Sequence, residues 1–115
     1  MADECLFCGI VSGEIPAKIV YRDDEVVAFE DIKPVAPVHI LVIPTRHIDS
    51  IRDVSREDDA IIGKLIATAN QLARDKGIHE AGFRLNMNAG PNGGQTVYHL
   101  HLHLLGGRFM TWPPG

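Results

Sequence analysis

At 115 residues the chain has the length of one domain, residues 1–115, and a second copy would help a chain of this size bury its surface. Its 45% hydrophobic and 23% charged residues suit a globular protein, and no apolar run approaches the ~20 residues that cross a bilayer, so no membrane association is expected. Eleven basic residues against fifteen acidic ones give a net charge of −4 with no basic cluster, which argues against coating a nucleic acid but leaves room for one small anion held by backbone amides and imidazoles.

The opening stretch MADECLFCGI is acidic and lacks the basic and apolar segments of a signal peptide, which predicts a cytoplasmic chain. It carries Cys5 and Cys8 in a C-x-x-C spacing. In a reducing compartment that spacing points to metal binding or redox use ahead of a structural disulfide. Residues 6–12 predict a short helix or turn closed by Gly13. KIVYRDDEVVAFED predicts two strands joined at Asp23 and Asp24, and VHILVIP an apolar strand over 38–44.

The clearest helix spans 55–76. Ser55 suits its N-cap, with Asp58 three residues on. Ile61, Ile62, Leu65, Ile66, Ala69, Leu72 and Ala73 form one stripe at helical spacing, and Gly77 suits the residue just past the end. This helix reads as core. FRLNMN predicts a half-buried strand over 83–88, and AGPNGGQT a glycine-rich turn over 89–96. VYHLHLHLL predicts the last strand, after which Pro113 and Pro114 carry the tail off the sheet. Together these elements predict an α+β fold: a meandering antiparallel sheet of about five strands, one long helix and a short N-terminal helix.

In a strand, alternate side chains share a face. Val97, His99, His101, His103 and Leu105 would lie on one side, with imidazoles ~6–7 Å apart from the strand rise, and Tyr98, Leu100, Leu102 and Leu104 would pack on the helix. A solvated polar row rarely uses histidine three times running. A three-histidine metal site fits a flat row poorly, because zinc prefers a tetrahedron. The third reading is nucleophilic catalysis by His101, its neighbours orienting it or moving protons. The adjacent Gly93, Gly94, Gln95 and Thr96, with Asn88 before them, favour that reading, since glycines let backbone approach an anion and Thr96 offers a hydroxyl.

QTVYHLHLHLLGGR resembles the histidine-triad signature, and the following Gly-Gly-Arg and WPPG resemble its Hint branch, the nucleoside phosphoramidases. GEIPAK, AFEDI, AP-x-H and LVIPTRH extend the similarity over nearly the whole chain. The resemblance implies a homodimer whose sheet runs on across both copies. It implies cleavage of the P–N bond of purine nucleoside 5′-phosphoramidates through a nucleotidyl group on His101, with water releasing the nucleoside monophosphate. His39 and His99 match histidines that orient the central imidazole, and His103 the one near the leaving group. Asn88, Thr96 and the backbone at His101 match the phosphate cradle, with Gln95 in the same turn. Gly94 matches the glycine that admits substrate, and Asp31 the carboxylate on the ribose hydroxyls. Phe7, Ile10, Ile15, Phe29 and Ile32 match the base pocket. The tail with Trp112 is expected near the partner's site, influencing the leaving group. Thr96 departs from the usual serine; it keeps the hydroxyl but stiffens the rotamer.

Relatives with C-x-x-C here hold zinc with two histidines, which implies a structural zinc on Cys5, Cys8, His47 and His99, supporting His101 through His99. No organic cofactor is implied. Redox thiols or two small buried cysteines are the alternatives for the pair. Two other functions compete: a dinucleoside polyphosphate hydrolase of the same superfamily, disfavoured by Gly-Gly-Arg and WPPG, and a non-catalytic nucleotide binder, which would not need the central imidazole.

Overall fold

The computed structural model describes residues 5–115, so the acidic start of the chain lies outside the described residues. Helix α1 spans Leu6–Ser12. The Cys5 sulfur accepts the Cys8 N–H at 3.3 Å and caps its start, and Gly13 at φ +87° ends it. Strands β1 (Ile19–Arg22) and β2 (Val26–Glu30) form the expected hairpin. Its turn is closed by the Asp23 carboxylate, which accepts the N–H groups of Glu25 and Val26, both at 2.8 Å. Strand β3 is Val38–Pro44.

A 3₁₀ turn over Arg56–Asp58 precedes helix α2, Asp59–Asp75, so the expected single helix from Ser55 begins as a tighter turn. The Asp58 carboxylate still accepts the Ser55 N–H, at 2.9 Å. Leu65, Ala69, Leu72 and Ala73 are buried as the stripe predicts, whereas Ile66 is half exposed and lies off the packed face. At the far end the Gly77 and Ile78 amides bond back to Arg74 and Ala73, leaving Gly77 at φ +75°.

Strand β4 stops at Phe83–Asn86, and β5 covers only Leu102–Gly106. The five strands run β1-β2-β3-β5-β4, all neighbours antiparallel. This corrects the simple meander: α2 carries the chain past one strand position to β4 at the edge, and β5 returns into the gap. The histidine stretch is also not one long strand. The Leu100 N–H bonds to the Ile48 carbonyl at 2.7 Å, and the Pro44 carbonyl is taken by the His99 ring at 2.9 Å. Pro44 has no N–H to offer a ladder, so pairing between β3 and β5 ends at Val42 and Leu102. Only His103 lies in a strand.

The sheet is covered on both faces. α2 buries Val26, Ala28, Ile40, Val42, Leu100, Leu102 and Leu104. On the other side α1 brings Phe7 and Ile10 onto Val27, Phe29, Leu41 and Ile43. This explains why β2 and β3 read as nearly continuous apolar runs. Tyr98, expected among the leucines, is instead 39% exposed. Among the described residues no helix is long and apolar enough to cross a membrane.

Candidate functional site

The register of β3 and β5 sets His39 opposite Leu105 and Leu41 opposite His103. His39 and His103 are therefore diagonal neighbours on the face that α1 covers. His39 Nε2 lies 2.9 Å from His103 Nδ1 and 3.5 Å from an Asp31 carboxylate oxygen. The Val35 N–H donates to His39 Nδ1 at 3.2 Å, so neutral His39 carries its proton on Nε2 and gives it to His103. His103 must then carry its own proton on Nε2. That atom is buried and has no partner among the described residues.

His101 sits just before β5. Its Nδ1–H donates to the His99 main-chain carbonyl at 2.7 Å, which leaves a bare lone pair on Nε2. Phe7 lies edge-on to its ring at 5.1 Å between centroids, and His103 at 4.9 Å, closer than an ideal strand would put them. His39, expected beside the central imidazole, bonds to His103 and not to His101. His99 meets His101 through its carbonyl and turns its ring elsewhere.

Burial dominates the titration of this cluster. It lowers the pKa of His99, of His101 and of His39, where Asp31 opposes it. His103 is pulled down to about 4, first by burial and then by His101 and His39. All four imidazoles are neutral at pH 7.

A second cluster adjoins the first. Cys5, Cys8, His47 and His99 bring one ligand atom each within 4.8 Å of one another and could hold a metal ion. The two Nδ1 atoms lie 3.2 Å apart, and sulfur-to-nitrogen distances run from 3.3 to 3.5 Å. His99 Nε2 donates to the Pro44 carbonyl, and His47 Nε2 lies 2.6 Å from an Asp49 carboxylate oxygen, so both Nδ1 lone pairs face inward. Asp31, His39 and His103 also lie close enough for a metal, but the Val35 bond leaves the proton on the His39 nitrogen such an ion would need.

The glycine-rich turn lies alongside. A side chain on Gly93 would strike the Ala89 carbonyl, whereas one on Gly94, at φ +81°, would meet open space. Gln95 is buried and braces the turn. Its amide donates to Asp49 and Val97 carbonyls at 2.7 and 3.1 Å, and its oxygen accepts the Gly90 N–H. Asn88 accepts from Asn86 at 2.9 Å, and Thr96 is exposed.

Phe7, Ile10, Ile15, Phe29 and Ile32 do come together. With Leu6, Leu41 and Val97 they wall a cavity of about 230 Å³ that Asp31 borders. Ile32 is 90% exposed at its rim. Trp112 is not drawn into this group: it is 82% exposed, beyond Thr111, whose carbonyl Arg84 holds at 2.8 Å. Sequence reasoning missed the Asp31–His39–His103 chain, the His99 carbonyl and Asp49. Only the last had a local signal, a carboxylate two residues past His47.

The HIT domain family model matches residues 12–110. A purine nucleoside phosphoramidase of Escherichia coli strain K12 is 52% identical over 108 residues, covering 94% of this chain and 91% of that protein. An uncharacterized HIT-like protein of Synechococcus elongatus is 50% identical over 115 residues, 100% of both chains. The crystal structure of a HIT family hydrolase from Legionella pneumophila superposes with a TM-score of 0.95 at 52% identity, covering 96% of this chain and 99% of that one. A match that runs through the sheet and the imidazole cluster alike leaves one conclusion: the chain belongs to the HIT domain family.

Proposed function

We propose that this protein is a nucleotide hydrolase of the Hint branch that cleaves the P–N bond of purine nucleoside 5′-phosphoramidates. The observation that carries the reading is the His101 ring: neutral, held at Nδ1 by a carbonyl with a lone pair left on Nε2, and packed on Phe7, which walls the apolar cavity. His101 Nε2 attacks the α-phosphorus and the P–N bond breaks. The departing amine takes its proton from a water that the His103 Nε2–H, held in that tautomer by His39, positions beside the leaving group. The hydroxide left from that water attacks the nucleotidyl-histidine, and the monophosphate leaves. The base would lie between Phe7, Ile10, Ile15, Phe29 and Ile32, the ribose on Asp31, and the phosphate near Asn88, Gly94 and Thr96. Gln95 would serve this cradle as its brace.

Cys5, Cys8, His47 and His99 are proposed to hold a structural zinc. Bonds of ~2.3 Å to sulfur and ~2.05 Å to nitrogen make tetrahedral edges of ~3.3 Å between nitrogens and ~3.6 Å between sulfur and nitrogen. The cluster's own distances, 3.2 Å between nitrogens and 3.3 to 3.5 Å from sulfur to nitrogen, lie within about 0.3 Å of those edges. Among the described residues no strand pairs with the outer edge of β4, which supports a homodimer whose second copy continues the sheet. The reading includes residues 1–115 as one domain in the cytoplasm. His101→Ala should cut hydrolysis of an adenosine phosphoramidate by at least about 10³-fold while the nucleoside monophosphate still binds. Turnover at the parent rate would remove His101 as nucleophile. A parallel assay on a diadenosine polyphosphate tests the branch, because faster cleavage there would reverse the assignment.

A further inference from the structure

Phe7 stands between Cys5 and Cys8 in sequence and between two sites in space. Its ring lies edge-on to Phe29 at 5.3 Å, to His99 at 5.9 Å and to His101 at 5.1 Å between centroids. Only 5% of it is exposed, so it cannot shift without disturbing one of these neighbours. The same ring and Ile10, three residues on, wall the cavity. The helix that carries both has 7 residues, too few to stand alone in water. Its attachments include the apolar contacts of Phe7, Ile10 and Val11, the Arg22 guanidinium on the Val11 carbonyl at 3.1 Å, and, at its first turn, the thiols of Cys5 and Cys8, which reach His47 and His99. A cation on the two sulfurs would fasten the first turn of α1 to the sheet and set Phe7 over His101. A purine base against Phe7 and Ile10 would press the same turn down and hold the sulfurs in place.

We propose that metal binding at Cys5, Cys8, His47 and His99 and nucleotide binding in the cavity are positively coupled through Phe7, each tightening the other. This rests on the zinc and purine readings above. Coupling between two binding sites is reciprocal by necessity, and typical values lie between ~5- and ~150-fold. The expected factor is about tenfold in both directions.

The test is a closed cycle on the full chain. Calorimetry gives the affinity for adenosine 5′-monophosphate in zinc-loaded and zinc-stripped protein. Chelator competition gives the affinity for zinc with and without the nucleotide. Agreement of the two factors at about tenfold, with slower hydrogen exchange of the α1 amides under either ligand, supports the proposal. Phe7→Leu keeps an apolar side chain in the cavity but no ring edge on His101; it should still take up zinc, with the coupling reduced towards onefold. Stoichiometric zinc with nucleotide affinity unchanged by stripping overturns the coupling while leaving both sites standing, as does full coupling in Phe7→Leu. No zinc uptake by the parent protein overturns the metal reading instead, and zinc uptake without nucleotide binding overturns the purine reading; the proposal falls with either.

Discussion

The two faces of the sheet come from the same strands and have opposite characters. On the α2 side, Ile40, Val42, Leu102 and Leu104 alternate into a core without a histidine. On the α1 side, the residues between them include His39, Leu41 and His103, and the cover is a 7-residue helix beside an open cavity. A period of two thus divides one strand between the apolar core and the imidazole cluster. The α2 face is sealed by the long helix, whereas on the other face burial of the imidazoles themselves keeps them neutral.

The sharpest way to break this comparison is to exchange damage between adjacent residues. Leu104→Ala, on the α2 side next to His103, should cost about 2–5 kcal/mol of stability in urea denaturation followed by circular dichroism. Its turnover per folded molecule should fall far less than that of His101→Ala. A folded Leu104→Ala protein as inactive as His101→Ala would show that the faces are not separable.

How much of this was readable beforehand follows from the range of the interactions. The hairpin at Asp23, the α2 stripe and the Gly77 stop are local and could be read from spacing alone. The order of the strands could not, because nothing in β5 announces that it returns between β3 and β4. For the same reason the long histidine strand was misread. Alternation from Val97 to Leu105 is real, yet the partner for His99 is Pro44, which has no donor, and 55 positions of chain separate them. Burial of Leu100 against exposure of Tyr98 follows from that broken pairing. At the site, the triad motif marked the imidazoles, whereas their tautomers and orientations lie in hydrogen bonds to Val35, to a main-chain carbonyl and to each other. Residue types alone do not encode those directions.

A smaller effect should appear on acidification, and it reports on how dry the α1 side is. His103 titrates at about 4 in the folded chain against an ordinary 6.5, and burial pulls His39 in the same direction. The unfolded chain therefore takes up protons first as pH falls. The stability these neutral imidazoles allow is complete above pH 6.5, is lost progressively below it, and levels off near pH 4 for His103. The urea midpoint at pH 7.5 should exceed that at pH 5, and His103→Asn should flatten the difference. An equal midpoint at both values would mean that His103 titrates as in water, and the contrast between the faces would shrink to one of shape.

The smallest expected effect on stability comes from the tail. Phe109 and Trp112 are 85% and 82% exposed, and the Arg84 bond to the Thr111 carbonyl is on the surface. Removing residues 109–115 should therefore change stability by less than about 1 kcal/mol, since an exposed hydrogen bond competes with water on equal terms. Two large apolar rings left in solvent on this tail fit a segment that meets a second copy rather than its own core. If the tail reaches the partner's leaving-group side, deletion should change the ratio of kcat/KM between a bulky and a small amine while leaving the binding of the nucleoside monophosphate in place. An unchanged ratio would place the tail outside the site and confine substrate choice to the α1 face of a single chain.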